Sequence, residues 1–184
     1  MRKVWIALLA VGMVAGAPWA LTHAIFTDSQ AVGSNVFSTG TIDISSSPTS
    51  ALVSFTAMAP GDKVTAPITV SNAGTLSLRY AMTTAISGSS TLSDGLTLAV
   101  KSGVTTCSNA GFGTDGTSVY SGALTAGAIG DATQGSQGGD RSLAASASEV
   151  LCFQVLLPTT AANSLQSLSA TATFTFSAEQ TANN

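Results

Sequence analysis

Few residues of this 184-residue chain could carry chemistry. His23 is the only histidine, and Glu149 and Glu179 are the only glutamates. Nucleophilic catalysis needs a base beside a serine or cysteine, and a zinc hydrolase needs histidine with carboxylate ligands. Since His23 lies in a segment that we expect to be cleaved off, the remaining chain can form neither a histidine-activated nucleophile nor a histidine-containing zinc site. A catalytic carboxylate pair would have to recruit aspartates. We therefore expect no enzyme activity and no cofactor.

Two short motifs match the residue pattern of a functional site but lack the sequence context that such a site requires. Residues 111–116 (GFGTDG) fit GxGxxG, but a dinucleotide site needs a strand before the motif and a helix after it. The flanks here show neither pattern, which indicates a flexible loop. Residues 157–161 (LPTTA) resemble a sortase signal but lack the hydrophobic segment and basic tail that should follow. Pro158 is better explained as the end of a strand.

Asp131 and Asp140 lie in a glycine-rich stretch in which calcium could bind. Calcium takes six to eight oxygen ligands in a definite arrangement, and no run of acids has that spacing. Asp115 is no better placed. An ordinary loop is the alternative that we favour, with no metal site.

The composition argues against a nucleic-acid partner. Charged residues make up 8% of the chain and the hydrophobic class 45%, so that serine, threonine and glycine must cover much of the surface. Loss of Arg2 and Lys3 with the N-terminal segment changes the formal charge from −3 to −5. With no basic run, the chain lacks the electrostatic footprint of DNA or RNA binding.

The N-terminus is typical of an export signal. Arg2 and Lys3 precede an apolar run over residues 4–21, and residues 22–24 place small side chains at the cleavage positions. We predict a signal peptide over residues 1–24, with cleavage between Ala24 and Ile25. The run also approaches the length of a membrane span, so an uncleaved anchor is the alternative. Membrane contact is expected only through that uncleaved segment.

Cys107 and Cys152 both lie in the part expected to be exported. In an oxidising compartment an even pair more often forms a disulfide than remains free. The alternative is that both cysteines remain free thiols and are buried as small hydrophobic side chains.

Strand-like runs separated by turn residues dominate the remaining chain, which is typical of a sandwich or barrel. Pro67 inside one run predicts an edge or bulged strand. In the run over residues 149–157, alternation places Leu151, Phe153, Val155 and Leu157 on the core face. In the run over residues 168–178, it places Phe174 and Phe176 on one face. The predicted strands span residues 37–44, 51–57, 64–70, 76–86, 96–100, 149–157 and 168–178.

The stretch over residues 107–147 differs, because its apolar residues are few and scattered. We predict long loops there, with one weak strand near residues 119–124. Residues 160–166 are the only segment that we expect to form a helical turn. A loop of this length is uncommon in a compact domain, and a disulfide from Cys107 to Cys152 would hold its start against the sheet.

Three stretches together resemble the TasA/camelysin family. Residues 24–44 (AIFTDSQAVGSNVFSTGTIDI) are similar to the family's start, an A-x-F-x-D segment followed by F-x-x-G-T-x-D-[IL]. Residues 55–82 contain the P-G-D turn and the N-x-G-[ST]-L turn. Residues 163–180 are similar to its closing phenylalanine-rich strand, which ends in A-x-Q. The chain departs from the family in its short middle and its cysteine pair.

The resemblance implies an all-β fold, an antiparallel jelly-roll-like β-sandwich over residues 37–184, preceded by the N-terminal signal helix. It further implies export through a specialised signal peptidase and assembly into biofilm-matrix or cell-surface fibres by donor-strand exchange. The donor would be the segment 25–36, which cleavage frees to complete the sheet of a neighbouring subunit. The donor residues implied are Ile25, Phe26, Thr27, Asp28, Ser29, Gln30, Ala31 and Val32. A disordered N-terminal tail is the alternative.

A secreted, extracellular location and self-association in a head-to-tail homopolymer follow from this resemblance. Signal peptidase would be a partner during export, and other matrix components are further candidates. Camelysins are also classed as metallopeptidases, but the lack of histidine after residue 24 argues against carrying that activity over. A monomeric adhesin or carbohydrate-binding sandwich, using residues 108–147 for recognition, is the alternative function.

Overall fold

The computed structural model describes residues 38–49 and 58–182. The chain divides into two units, Met1–Phe37 and Ser38–Asn184, and the described residues all belong to the second. The predicted signal peptide, the cleavage position at Ala24 and Ile25, the donor segment and the strand over residues 51–57 lie outside the described residues.

The described residues form nine strands, one α-helix and two 3₁₀ helices. The strands are β1 (Ile44–Ser47), β2 (Lys63–Asn72), β3 (Leu78–Gly88), β4 (Thr97–Ser102), β5 (Thr117–Ala123), β6 (Ala128–Ile129), β7 (Arg141–Leu143), β8 (Ser148–Leu156) and β9 (Ala170–Gln180). Helix α1 spans Ser90–Gly95, and the 3₁₀ helices span Leu124–Ala126 and Asn163–Leu165.

These strands make two sheets. Sheet A has the order β1-β2-β8-β4-β5, and sheet B has β3 at its centre, with β9 on one side and β6 and β7 on the other. The strand pairs in both sheets are antiparallel. The chain repeatedly changes sheet between successive strands, as in a jelly-roll-like sandwich.

The core lies between the two sheets and follows the alternation of the strands. Tyr80 and Met82 of β3 are 1% and 0% exposed, and they share one buried cluster with Leu151 and Phe153 of β8. Val150, between the core positions of β8, is 47% exposed. Because every second side chain of a strand faces the core, this pattern confirms the predicted all-β antiparallel sandwich.

The turn that follows β2 closes one end of the sandwich, which we call the entry pole because the described domain begins there. The carbonyl of Thr41 accepts hydrogen bonds from the N–H groups of Thr75 and Leu76, and the carbonyl of Asp43 accepts one from Ala73. Leu78, at the start of β3, pairs at this end with Gln180 of β9. The opposite end, where β3 finishes and β9 begins, is the far pole.

Asn72 holds the entry pole together and is 2% exposed. Its side-chain Nδ2 donates to the carbonyls of Leu76 (2.8 Å) and Ala144 (2.9 Å), with Leu143 O at 3.3 Å, and its Oδ1 accepts from Gly74 N (2.9 Å). A buried polar side chain is tolerated because its donors and acceptors are satisfied. The asparagine of the N-x-G-[ST]-L motif therefore has a structural role here.

The first predicted strand was placed wrongly. Within residues 37–44, positions 38–43 form no strand, and β1 begins only at Ile44. The backbone of residues 41–43 instead accepts hydrogen bonds from the turn after β2, so it does not join a ladder. Ile42 is 37% exposed, whereas Ile44 packs against the core.

The stretch over residues 107–147 contains more regular structure than its composition indicates. Besides β5, which matches the predicted weak strand, it holds β6 and β7, each no longer than 3 residues. Both pair with β3. Two or three residues are too few to show alternation, so only the pairing with a long central strand reveals them.

The helical prediction was incomplete. The predicted turn over residues 160–166 contains the 3₁₀ helix Asn163–Leu165, but α1 also forms, after β3. Ser89 caps α1 by accepting a hydrogen bond at its Oγ from Leu92 N (3.3 Å). Six residues show no helical periodicity, and the capping serine was the only available signal. Within residues 38–49 and 58–182, no helix is long and apolar enough to cross a membrane.

Candidate functional site

The candidate site is an open strand edge on one flank of the sandwich. β9 pairs with β3 through all of its 11 residues, without a shift in register. Over residues 170–178, no strand of the described chain pairs with the other side of β9. Such an edge presents a row of N–H and C=O groups to which another strand can bind.

The side chains of β9 that face the core are only partly buried. The row consists of Ala172, Phe174, Phe176 and Ala178, all packed against the buried cluster. Phe174 lies against Phe153, with ring centroids 4.9 Å apart, and Phe176 lies against Tyr80 at 5.9 Å. The apolar core therefore continues up to this flank, where it is incompletely covered by the described residues.

Other edges are also open in the described part of the chain, among them the short strands β1, β6 and β7, which have 4, 2 and 3 residues. β5 pairs only with β4, and the pairing is interrupted by a register shift between Val100 and Lys101. On β2, the strand β1 covers Thr69–Asn72 and leaves Lys63–Ile68 without a described partner on that side. Pro67 lies in this uncovered half, which agrees with the predicted edge position of this proline.

A polar cluster lies inside the sandwich, where β8 begins. The Tyr80 hydroxyl donates to Glu149 Oε1, and Arg141 binds the same carboxylate through Nε (2.8 Å) and Nη2 (2.5 Å). Burial, followed by the hydrogen bond to Glu149, raises the pKa of Tyr80 far above its usual value. The hydrogen bond to Glu149 raises the pKa of Arg141. Tyrosine and arginine are thus held in their protonated forms, and the cluster ties β3, β7 and β8 together.

A second ion pair lies on the outer face of sheet B. The Arg79 guanidinium binds the Glu179 carboxylate, which also accepts a hydrogen bond from Gly135 N at 3.0 Å. Arg79 is 9% exposed. The pair therefore connects β3 and β9 to the loop over residues 130–140.

The aspartates considered for calcium hold that loop together instead. Asp140 accepts hydrogen bonds from the N–H groups of Asp131 (2.9 Å) and Gln137 (2.8 Å), which hold the pKa of its carboxyl below the usual value. Asp131 accepts one from Thr133 N (2.9 Å). These carboxylates act as acceptors for backbone N–H groups, which gives the glycine-rich stretch a defined shape.

The structure joins Cys107 and Cys152 in a disulfide, with their Cα atoms 5.5 Å apart. Cys152 lies on the outer face of β8 and is only 1% exposed, and its disulfide ties the segment over residues 103–116 to this face. Lys101 Nζ secures this segment by donating to the carbonyls of Phe112 (2.8 Å) and Asp115 (3.1 Å). The GFGTDG motif lies within this segment and is a loop, as predicted.

The described residues do not fit a catalytic metal. No group of three or more histidine, cysteine, aspartate or glutamate side chains is close enough to hold an ion in this part of the chain. Both cysteines are in the disulfide, and Glu149 and Glu179 are each bound to an arginine. A metal ion that used any of these four residues as a ligand would have to compete with these contacts.

The fold and the open flank define a class of protein, an antiparallel β-sandwich whose sheet B presents a long, uncovered edge strand. The sequence profile of the camelysin metallo-endopeptidase family matches residues 2–96, and the chain belongs to this family. The match covers the resemblance at residues 24–44 and 55–82. No curated protein matches the chain.

Sequence reasoning found some parts of this site and missed others. It placed Phe174 and Phe176 on one face of a terminal strand, but it did not identify that strand as an edge. It treated Glu149 and Glu179 only as an unsuitable catalytic pair and missed their arginine partners. A usable signal existed for two of these residues, because Arg79 and Glu149 lie inside predicted strands of a chain with few charges.

Proposed function

We propose that the chain is a secreted structural subunit whose processed form, residues 25–184, polymerises by donor-strand exchange into extracellular fibres of a biofilm matrix or cell surface. The observation that carries the proposal is the β9 edge, which is long and regular and is bordered by a half-buried apolar row. Membership of the camelysin family and the weakly charged composition of the segment 25–36 add support.

Strand addition at such an edge is favourable for two physical reasons. It satisfies backbone N–H and C=O groups along the edge, each hydrogen bond contributing about 0.5–1.5 kcal/mol net. It also covers apolar surface that the subunit leaves partly exposed, which includes the half-buried side chains of Phe174 and Phe176. Because the donor and the acceptor are different surfaces, the contact is head-to-tail and need not close, and it can produce a filament.

Electron microscopy of the processed chain tests this function. We expect fibres from residues 25–184 and none from residues 36–184. A matched control replaces residues 25–35 by a Gly/Ser segment of equal length, which keeps the chain length but removes the apolar side chains. Monomers in all three samples would refute the proposal, and equal fibres in all three would refute the role of the donor segment.

The family description makes a peptidase the competing function. Casein digestion by the purified processed chain, with and without EDTA, separates the two. We expect no digestion under either condition, since Glu149 and Glu179 are each bound to an arginine and both cysteines are in the disulfide. Cleavage that EDTA abolishes would refute this non-enzymatic assignment.

A further inference from the structure

We propose that the Cys107–Cys152 disulfide is an exchange site for a low-molecular-weight thiol, which attaches to Cys107 and displaces Cys152 while the sandwich stays folded. This site lies on the outer face of sheet A and is separate from the β9 edge, so it does not depend on the proposed fibre. Three observations carry it: the unequal burial of the two cysteines, the contacts that hold the loop over residues 103–116 besides the disulfide, and a lysine opposite Cys152.

The two cysteines have different surroundings. Cys152 lies in the middle of β8, between Pro67 of β2 on one side and Lys101 of β4 on the other, and it is 1% exposed. Cys107 lies in the loop, outside the strands, and is half-buried. Thiol–disulfide exchange depends on which sulfur the attacking thiolate can reach. A thiol from solvent therefore attacks Cys107, and Cys152 is the sulfur that leaves.

The loop contacts both neighbours of β8 without using the disulfide. On the β4 side, Lys101 Nζ donates to the carbonyls of Phe112 (2.8 Å) and Asp115 (3.1 Å), and it lies 5.0 Å from the centre of the Phe112 ring. Phe112 is itself only 7% exposed. On the β2 side, Asn109 Nδ2 donates to the carbonyl of Lys63 at 2.8 Å. Because hydrogen bonds from a charged donor are stronger than neutral ones, Lys101 is the main non-covalent hold on this loop.

The loop also has internal hydrogen bonds on both sides of Cys107. The N–H group of Thr105 donates to the Asp115 carboxylate (3.2 Å to Oδ2), and the N–H group of Phe112 donates to the carbonyl of Ser108 (2.9 Å). Neither bond involves a sulfur atom. Opening of the disulfide is therefore a local event, after which Cys107 stays close enough to Cys152 for the pair to close again.

The chemical step is an exchange in which one disulfide replaces another. The incoming thiolate forms a bond to the Cys107 sulfur as the bond between the two protein sulfurs breaks, and the electron pair of that bond leaves on Cys152 as its thiolate. One thiolate is consumed and one is formed, so the step needs no oxidant or reductant. Attack by Cys152 on the mixed disulfide reverses it and releases the small thiol.

Lys101 also lies where the leaving sulfur becomes negative. It is directly opposite Cys152 in the antiparallel pair of β4 and β8, so both side chains are on the same face of sheet A. A neighbouring ammonium group favours a thiolate over a thiol. This placement favours departure of Cys152 and hence attachment of the small thiol to Cys107.

Peptide mapping of the native, oxidised chain identifies the attacked sulfur without any substitution. The processed chain is incubated with excess reduced glutathione in the absence of oxygen, quenched and alkylated in acid, digested, and analysed by mass spectrometry. We expect at least about tenfold more glutathione on Cys107 than on Cys152. The control is the same mixture in concentrated urea, in which both sulfurs are accessible and the two adducts should be similar in amount.

Circular dichroism of the native mixture shows whether the sandwich stays folded. Its β-sheet signal should not change while the adduct accumulates. Glutathione mainly on Cys152, or equally on both cysteines, would overturn the assignment of the attacked sulfur. The absence of an adduct until the β-sheet signal is lost would overturn exchange in the folded state.

Two lysine variants test how the loop is held. Lys101→Met and Lys63→Met each remove one ammonium group, but Lys63 contacts Asn109 through its backbone carbonyl, which the substitution keeps. In Lys101→Met the loop is held less closely, so Cys152 competes less well for Cys107, and the equilibrium ratio of adduct to native disulfide should rise about tenfold. Lys63→Met should match the wild type. Equal ratios in the two variants would overturn the role of Lys101 in keeping the opening local.

Discussion

Replacing Asn72 by alanine should destabilise the sandwich strongly, although the residue is far from any expected catalytic role. Asn72 is 2% exposed, and its amide group bonds to the backbone of Gly74 and Leu76 in the turn after β2 and to that of Ala144. The substitution would leave Gly74 N–H and the carbonyls of Leu76 and Ala144 without this partner.

The expected size of the effect follows from the burial of these groups. A buried donor or acceptor left without a partner costs about 1–3 kcal/mol. Gly74 is buried, whereas Leu76 and Ala144 are closer to the solvent and can gain water instead. We therefore count the Gly74 N–H fully and the two carbonyls in part, which gives a loss of about 3 kcal/mol in the free energy of unfolding.

Urea unfolding of residues 36–184, followed by circular dichroism, measures this loss without interference from fibres. With a slope of about 2 kcal/mol per molar urea, the midpoint should fall by about 1.5 M. The control is Asn109→Ala, because Asn109 is exposed and its Nδ2 donates to Lys63 O at 2.8 Å. It should cost less than about 1 kcal/mol. Equal losses for the two variants would refute the reasoning.

Three further variants test other parts of the domain. Replacing Cys107 and Cys152 together by serine should lower the free energy of unfolding by about 4 kcal/mol, because the disulfide closes a loop across 45 positions. Urea unfolding measures this loss, and a loss below about 1 kcal/mol would contradict the expectation. Gly74→Ala should lower the melting temperature, because its Cβ would lie 2.4 Å from Thr41 O, and an unchanged value would show that the entry pole can relax. The carboxyl of Asp140 has a lowered pKa in the folded state, so its stabilising contribution is present above about pH 4 and is lost as the pH falls through that lowered value. Asp140→Asn should therefore melt below the wild type at pH 6, and this difference should shrink as the pH falls below about 4, whereas a constant difference would argue against this role.

The long strands could be read from the sequence because each has one face in the core. β3, β8 and β9 alternate over 9 to 11 residues, which is long enough to identify both the strand and its buried face. This alternation correctly assigned Leu151, Phe153 and Val155 to the core face, and it correctly placed Phe174 and Phe176 on the same face of β9. The expectation of an all-β sandwich needed no more than this.

The candidate site could not be predicted in the same way, because an edge is a property of the sheet and not of the strand. The alternation of β9 is the same whether it has one neighbour or two, and only the pairing order shows that the described chain leaves one side uncovered. β6 and β7 were missed for a related reason, since strands of 2 and 3 residues are defined by their partner β3.

The sequence alone determined the local periodicity, the small number of charges and the candidate partner for each cysteine. The tertiary structure decided which groups meet across long separations. Tyr80 and Glu149 are 69 positions apart, and Arg79 and Glu179 are 100 apart, so no local pattern could pair them. Periodicity follows from the geometry of one strand, whereas an ion pair or an open edge depends on which strands become neighbours, and long-range packing of the whole domain sets that order.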